Sequence, residues 1–280
     1  MRTKIRLKNA VLIGVAVVLE LALLLTVLVF MLRSGDTPNT ALNSPPTQTE
    51  EPTSPVPPNR FGPEDFEMQG DYLTCLTGKS ELGIDVSNHQ QEIDWPKVAS
   101  AGIDFVMIRV GYRGYGQAGN MLPDESAQKN YEGAKNAGLK VGAYFFSQAT
   151  TVEEAREEAE FMLELIDTWK IDMPVVYDWE RVDWVDSSRT KELPVETVIE
   201  CSKAFCQEIA KAGYRPMVYF NWNLAHEEGY LEALLGYDTW LAMYESDMDF
   251  PYEIDMWQYT DSGVVPGIST SVDINLYFPE

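Results

Sequence analysis

Two acidic residues stand one position apart in a run that is otherwise apolar and aromatic. Residues 173–180 read MPVVYDWE, a composition typical of a buried strand. Because side chains alternate between the two faces of a strand, Asp178 and Glu180 share one face, and Tyr177 and Trp179 the other. Two positions along a strand span about 6.5–7 Å, so the two carboxyl groups can flank one small reacting group. Like charges this close, beside aromatic walls, raise one carboxyl pKa, which predicts a proton donor near neutral pH.

Two more aspartates stand in predicted strands elsewhere in the chain. Asp85 ends the first strand and Asp273 lies in the last one, so closure of a barrel would bring both beside the acidic pair. Four carboxylates on three strands would then line one pit. An alternative stays open for Asp85, because lone aspartates at strand ends often cap helices or form turns. The pair is different, since Arg181 has the wrong parity to neutralise Asp178 or Glu180.

The composition narrows the chemistry that these residues could do. The 280 residues carry 44 Asp and Glu against 21 Lys and Arg, a net charge of −23, which argues against nucleic acid as a partner. Two histidines argue against a His-rich metal site and against a Ser-His-Asp triad. Carboxylate clusters also bind Ca²⁺ or Mg²⁺, but the spacing of a ligand loop is missing. We therefore expect catalysis by carboxylates, with no metal and no cofactor.

Short apolar runs alternate with amphipathic stretches along most of the chain. Three glycines (Gly102, Gly138 and Gly213) follow predicted helices, where a glycine commonly ends a helix. The predicted strands cover 82–87, 104–111, 140–147, 173–180, 215–221, 238–244, 254–259 and 271–277. The predicted helices lie between the first five strands and cover 93–102, 124–138, 151–169 and 194–213.

This alternation decides the fold class. Strands that alternate with helices predict a parallel sheet, and eight such strands predict a closed α/β barrel. After the fifth strand the connections are too short for regular helices, so we expect an irregular last third. An open doubly wound sheet is the alternative, and the number of strands favours the barrel.

The N-terminal part of the chain differs in composition from the rest. The basic tail 1–9 precedes the apolar run 10–32, whose 23 residues would reach about 34 Å as a helix, enough to cross a bilayer core. Four basic residues before this run and one after it predict a cytoplasmic N-terminus. Because no clear cleavage site follows the run, we expect an uncleaved transmembrane signal anchor rather than a cleaved signal peptide. A buried core helix fits poorly, since the run is apolar all round.

A proline-rich segment follows the predicted anchor. Residues 34–63 contain eight of the sixteen prolines, so we expect 33–82 to form an extended stalk and N-terminal extension, of which 63–82 could pack on the domain. The barrel would then occupy 83–280. These features together predict a single-pass protein of the cell membrane whose catalytic domain lies outside the cytoplasm.

Short motifs follow one another in a fixed order along the predicted barrel. The series starts with GIDVSNHQ, in which Asp85, Ser87 and Gln90 form D-x-S-x-x-Q. It continues with VGAYFFSQA, the D-x-E of Asp178 and Glu180, WLAMY, WQYT and VDIN. This ordered series resembles the glycoside hydrolase family 25 lysozymes, which are muramidases that cut peptidoglycan. The resemblance implies a flattened TIM-like α/β barrel with five β/α units followed by three more strands.

The resemblance also implies a role for each acid. Glu180 would be the general acid that protonates the glycosidic oxygen between N-acetylmuramic acid and N-acetylglucosamine. Asp178 would orient or stabilise the sugar's 2-acetamido group, or the cationic intermediate formed from it. Asp85 and Asp273 would position substrate, water or the other carboxylates. Two routes stay open. Either the acetamido oxygen attacks internally with retention, or a carboxylate activates water with inversion.

Three aromatic residues and one cation complete the predicted substrate site. Tyr144, Trp257 and Tyr259 share strand-end placement, and the faces of amino sugars pack well on aromatic rings; core packing is the alternative for each of them. Arg109 interrupts the apolar run FVMIRV, where it could pair with a pit carboxylate and hold it ionised. Many members of the family carry a histidine after the tyrosine that matches Tyr144, whereas this chain has Phe145.

Other functions are weaker matches to the same residues. A family 18 chitinase would need D-x-x-D-x-D-x-E ending at Glu180, but the two earlier acidic positions hold Met173 and Val176. A catalytically inactive barrel that binds cell-wall glycan would not need both members of the acidic pair, and a structural envelope protein would not need eight strands. We therefore expect peptidoglycan glycan strands and, through the N-terminal helix, the membrane as partners.

Overall fold

The computed structural model describes residues 55–244 and 247–279, which belong to the compact unit Ser54–Glu280. The strands are β1 (Phe66–Gln69), β2 (Tyr72–Cys75), β3 (Glu81–Val86), β4 (Phe105–Arg113), β5 (Met121–Pro123), β6 (Lys140–Ser147), β7 (Val175–Trp179), β8 (Pro216–Asn221), β9 (Asp238–Ala242), β10 (Met256–Gly263) and β11 (Val272–Tyr277). The α-helices are α1 (Trp95–Ser100), α2 (Ala127–Asn136), α3 (Val152–Ile166), α4 (Val195–Lys211), α5 (Trp222–Ala225) and α6 (Tyr230–Ala233).

Eight strands close into a barrel in the order β3-β11-β10-β9-β8-β7-β6-β4, and the pairing of β3 with β4 completes the ring. All eight predicted strands are present and the closed barrel is confirmed, whereas an open doubly wound sheet is wrong. The expectation of an entirely parallel sheet is also wrong, because β11 runs antiparallel to both β10 and β3. Only residues 264–271 connect β10 to β11, too few for the crossover that a parallel pair requires.

The four long predicted helices are confirmed with shorter ends, and two single-turn helices, α5 and α6, occupy the irregular last third. Gly102, Gly138 and Gly213 have φ angles of 90°, 86° and 88°, a left-handed conformation that glycine adopts without steric penalty. Each of them directly follows the C-cap residue of a helix, as the sequence predicts.

Two apolar layers support the barrel. The outer one lies between the strands and the helices that cover them. The inner one fills the barrel toward the amino ends of its parallel strands; it consists of Phe105, Met107, Met173, Val176, Met217, Tyr219, Trp240, Ala242, Met256 and Tyr277. The inner layer closes the barrel below, so polar chemistry is confined to the end where the parallel strands terminate.

The segment before the barrel folds onto its side. Strands β1 and β2 form an antiparallel hairpin. The ring of Phe66 lies 5.2 Å from that of Trp257, centroid to centroid, and the ring of Phe61 lies 4.7 Å from that of Phe278. Part of the predicted stalk and extension 33–82 is therefore held against the barrel by aromatic contacts.

The predicted tail 1–9 and anchor 10–32 lie outside the described residues. Within residues 55–244 and 247–279, no helix is long and apolar enough to cross a membrane. The cell-membrane localisation predicted from the sequence, with the membrane as a partner, is corrected on this finding: no described part of the chain supports it, and it is not carried further.

Candidate active site

The four predicted acids converge at the carboxyl ends of the parallel strands. Asp85 is near the end of β3 and is paired in register with Asp273 at the start of the antiparallel β11. Asp178 lies in β7, and Glu180 directly follows that strand. All four line one cavity of about 300 Å³, which we call the acidic pit. The parity argument is correct, because Tyr177 and Trp179 face the outer apolar layer instead.

Two side-chain amides hold Asp85 in place. Gln258 donates from Nε2 to Asp85 Oδ2 over 2.8 Å and to Asp273 Oδ2 over 3.4 Å. Asn275 donates from Nδ2 to the same Asp85 oxygen over 2.9 Å. Donors that point at a carboxylate favour its charged form. The two amides therefore stabilise a negative charge on Asp85 despite its burial.

Three further hydrogen-bond donors orient those two amides. The hydroxyls of Tyr219 and Tyr244 donate to Gln258 Oε1 over 3.0 and 3.1 Å, and Trp240 Nε1 donates to Asn275 Oδ1 over 2.9 Å. Each amide oxygen is thus occupied, and each amide nitrogen must face the acids. This arrangement fixes the hydrogen-bond polarity at the floor of the pit.

The two paired aspartates influence each other's pKa values. Burial and the charge of Asp85 raise the pKa of Asp273 to about 9. Burial also raises the pKa of Asp85 above its usual value, while hydrogen bonds from Asn275, Gln258 and Asp273 oppose that rise. The hydrogen bond between the two aspartates raises the pKa of Asp273 and lowers that of Asp85. The amide donors on Asp85 and the hydrogen bond between the two aspartates thus favour ionisation of Asp85 over ionisation of Asp273.

Asp178 and Glu180 lack such support. Asp178 is 5% exposed, and its Oδ1 atom has no hydrogen-bond partner within the described part of the chain. Burial, followed by the charges of Glu180 and Asp85, raises the pKa of Asp178 well above its usual range. Burial and then the charge of Asp85 raise the pKa of Glu180 to about 7. A carboxyl group with this pKa can hold a proton near neutral pH and release it.

Arg109 lines the pit but does not pair with the pit acids. Its Nε and Nη2 atoms lie 2.9 and 2.8 Å from Asp124 Oδ2, and Nη2 also donates to Asn88 Oδ1 over 2.8 Å. The expected pairing with a pit carboxylate is therefore wrong, because the buried Asp124, which the sequence analysis missed, neutralises the cation. Arg109 affects the pit acids through its electric field alone: its positive charge opposes the rise in the pKa of Asp178.

The predicted aromatic residues divide into two groups. Tyr144 lines the acidic pit. Trp257 and Tyr259 point away from it into the outer apolar layer, where their rings lie 5.8 Å apart. The expectation that these two rings bind substrate in the pit is corrected, because the inward-facing positions of β10 have the opposite parity and hold Met256 and Gln258.

Sequence reasoning missed the residues that hold the pit acids, although one signal could have found two of them. Asn275 and Asp273 share a face of β11, and Gln258 is a polar residue inside an apolar run. Polar side chains at inward parity in buried strands indicate a polar barrel interior. For Tyr219, Trp240 and Tyr244 no comparable signal exists, because aromatic residues at such positions are equally typical of a core.

Two shallower depressions adjoin the acidic pit. One, of about 520 Å³, includes Glu180, Tyr219, Trp222 and Tyr244 in its lining. The other, of about 470 Å³, lies beside Arg109 and includes Glu180, Phe146, Tyr115 and Trp184. Both share Glu180 with the pit. The three cavities thus surround this carboxyl group and can accommodate an extended ligand.

Comparisons with known proteins agree with this geometry. Residues 84–268 match the family model described as Glycosyl hydrolases family 25. The Uncharacterized protein YegX of Escherichia coli O157:H7 is 27% identical over 203 residues, which cover 70% of this chain and 68% of that protein. The Autolytic lysozyme of Clostridium acetobutylicum is 26% identical over 196 residues, covering 69% of this chain and 54% of that protein.

Among solved structures, the modular autolysin LytC of Streptococcus pneumoniae in complex with a synthetic peptidoglycan ligand is similar in fold, with a TM-score of 0.63 and 25% identity. The match covers 71% of this chain and 47% of that chain. This chain therefore spans about half the length of that autolysin.

Proposed function

The chain belongs to the glycosyl hydrolases of family 25, and from that premise we propose that it hydrolyses the β-1,4 bond between N-acetylmuramic acid and N-acetylglucosamine in peptidoglycan. The observation that carries the proposal is the acidic pit, in which no cation of the described residues pairs with the buried Asp178 or the half-buried Glu180. The lysozyme and autolysin names of similar proteins support the same substrate class.

Glu180 is the general acid in this proposal. Its pKa of about 7 lets it hold a proton near neutral pH and transfer it to the glycosidic oxygen as the bond breaks. Its place at the junction of the three cavities lets sugars extend from the pit on both sides of the bond. The remaining pit charge favours a transition state that carries positive charge on the sugar ring.

Asp178 contacts the 2-acetamido group of the sugar in the pit. Its buried Oδ1 atom has no hydrogen-bond partner among the described residues, and such an atom is destabilising until a donor reaches it. The acetamido N–H of a bound sugar is a donor of the right kind. This contact would turn the acetamido oxygen toward the anomeric carbon, as internal attack with retention requires.

Asp85 is the carboxylate available for the inverting route. Because its amide donors favour the ionised form of Asp85, Asp85 is the member of that pair better able to accept a proton from water. The anomeric configuration of the first product, followed by NMR before mutarotation, separates the two routes. A retained product supports acetamido attack, and an inverted product supports water activation by Asp85.

Mass spectrometry of digested peptidoglycan tests the function itself. We expect purified cell wall treated with the protein to yield fragments with N-acetylmuramic acid at the new reducing end. A new N-acetylglucosamine reducing end would identify a glucosaminidase instead. Binding to the wall without any product would favour a catalytically inactive glycan-binding barrel and would remove the proposed activity.

A further inference from the structure

One tryptophan differs from the other six in its exposure. Trp184 is 71% exposed, whereas the next most exposed, Trp222, is 39% exposed and stacks against His226 at 4.4 Å between ring centroids. The remaining five are buried, each 6% exposed or less. Within the described residues, no other ring or cation lies against the Trp184 indole. A large apolar ring left open to solvent beside a cleft indicates a binding surface.

Hydrogen bonds anchor both ends of the loop that carries Trp184. Arg181 donates from Nη1 to the carbonyl oxygens of Thr190, Lys191 and Leu193 over 3.1, 3.2 and 3.0 Å. The hydroxyl of Thr190 donates to Gln148 Oε1 over 3.0 Å. These bonds join residue 181 to residues 190–193 and tie residue 190 to the barrel rim, so the two ends of the loop are anchored next to each other.

The same loop is joined to a second one, residues 114–120, which follows β4. The backbone N–H of Arg189 donates to the carbonyl oxygen of Tyr115 over 3.0 Å, and Gln117 Nε2 donates to the carbonyl oxygen of Ser187 over 3.1 Å. Gly119 leaves room for the Arg189 guanidinium in its present position, because a Cβ atom at residue 119 would lie 1.4 Å from Nη1 and the arginine side chain would have to shift. The two loops therefore form one continuous wall.

This wall borders the depression of about 470 Å³ that opens into the acidic pit. Trp184 and Tyr115 line it from the wall, and Glu180, Arg109 and Phe146 are shared between the depression and the pit. Tyr115 is itself 48% exposed. A ligand that extends from the pit past Glu180 on this side thus meets two exposed rings.

We propose that Trp184, with Tyr115 beside it, forms a stacking platform for an amino-sugar residue of the glycan strand, beyond the two sugars joined by the bond that is cleaved. This inference rests on the proposed function and extends it, since it makes long glycan strands better substrates than short ones. The occupant follows from continuity: a strand whose cleaved bond lies at Glu180 continues into this depression. The flat apolar face of a pyranose fits an indole ring, which buries apolar area without fixing the sequence of substituents.

Substitution of Trp184 tests the platform on peptide-free glycan oligomers of two lengths, four and eight sugars. For Trp184→Ala we expect the KM for the longer oligomer to rise roughly 3–10-fold, the range of one aromatic contact, with kcat unchanged. The KM for the shorter oligomer should change less than about 2-fold. Trp184→Phe, which keeps a ring, should recover most of the loss.

A matched control removes an exposed apolar side chain elsewhere. Leu235 is 48% exposed and precedes β9, at the amino end of the parallel strands and so at the far end of the barrel from the pit. Leu235→Ala should leave both KM values unchanged. Equal losses for the two Trp184 variants on both lengths would indicate a disturbed loop and overturn the platform, as would unchanged KM values in Trp184→Ala.

Two further measurements keep this inference distinct from the proposed function. In a Glu180→Gln background, calorimetric binding of the eight-sugar oligomer should weaken by the same factor when Trp184→Ala is added. A wild-type protein that neither cleaves nor binds glycan would remove the proposed function. A wild type that cleaves while Trp184→Ala loses affinity only for peptide-bearing glycan would assign the platform to the stem peptide, against the inference.

Discussion

Acids with raised pKa values lie on both sides of the barrel wall, and they differ in what neutralises them. On the outer face, Glu158 of α3 accepts from Arg113 Nε and from the Ser147 hydroxyl, both over 2.6 Å. On the inner face, no cation of residues 55–244 or 247–279 forms an ion pair with Asp178 or Glu180. Burial raises the pKa of both Glu158 and Glu180 to about 7, so a raised pKa by itself does not separate them.

The difference lies in the partners. Both oxygens of Glu158 are satisfied, and a cation lies against the carboxyl group, so this acid fixes α3 to β4 and β6. Asp178 Oδ1 has no hydrogen-bond partner among the residues that the structure describes, and the two inner acids face a cavity large enough for a ligand. A buried acid whose oxygens all have hydrogen-bond partners is typical of a structural role. A buried acid with an unpartnered oxygen beside a cavity is typical of a binding or catalytic role.

The sharpest test of this contrast exchanges each acid for its amide. Glu180→Gln should lower kcat on purified peptidoglycan by about 10²–10⁴-fold, because the amide has no proton to transfer to the leaving oxygen. Glu158→Gln should leave kcat within about 3-fold but reduce the free energy of unfolding by about 1–3 kcal/mol. Release of reducing ends and urea denaturation measure the two effects. The contrast fails if the two substitutions reduce kcat equally.

The ion pair between Glu158 and Arg113 can also be broken by replacing the arginine. Arg113→Met leaves Glu158 buried without its cation, so we expect the free energy of unfolding to fall by about 3–5 kcal/mol. The double variant Arg113→Met/Glu158→Met should recover most of this loss, because no buried charge is left unpaired. As a control, Lys203→Ala breaks an exposed pair with Glu200 and should change stability by less than about 1 kcal/mol. Additive losses in the double variant would show that the pair is not coupled.

The smallest expected effect concerns pH. Glu180 must be protonated to act as an acid, so kcat/KM should fall as the pH rises through about 7. The folded-state pKa values of Glu158 and Glu180 lie above their usual 4.5. The stability linked to both is therefore complete below pH 4.5 and is lost as the pH rises through about 7.

Variants separate these two pH dependences. Glu158→Gln should flatten the decline of Tm with pH while the alkaline limb of the rate profile stays in place. Glu180→Gln should also flatten the decline of Tm, and its residual activity should lose that limb. If Glu158→Gln moved the alkaline limb instead, the assignment of the limb to Glu180 would have to be abandoned.

Much of the fold was readable from the sequence because it depends on local patterns. Each barrel strand is a short apolar run, and helices such as α3 and α4 have apolar faces that repeat with the helical period. The direction of β11 was not readable from the motif VDIN. It follows from how the short connection 264–271 turns the chain back, a property of the connection rather than of the strand.

The candidate site was predicted unevenly for the same reason. Parity along one strand placed Asp178 and Glu180 on one face, and it needed no knowledge of any neighbour. In β10 the same alternation turns Trp257 and Tyr259 to the outer face, and Gln258 lines the pit instead. The roles of the acids stay predictions until the variants above are measured.

By itself, the sequence determined the eight strands, the closed barrel and the shared face of the acidic pair, because these follow from the order and spacing of nearby residues. Only the tertiary structure decided that Asp124 neutralises Arg109. It also decided that Gln258 and Asn275 hold Asp85, and that the side chain of Trp184 is exposed in the depression beside the acidic pit. The contacts of Gln258 and Asn275 with Asp85 depend on barrel closure, which brings together residues far apart in the chain. Asp124 reaches Arg109 because the chain turns back beside β4 and forms β5. Burial then sets the charge of each acid according to the partners that closure supplies or withholds.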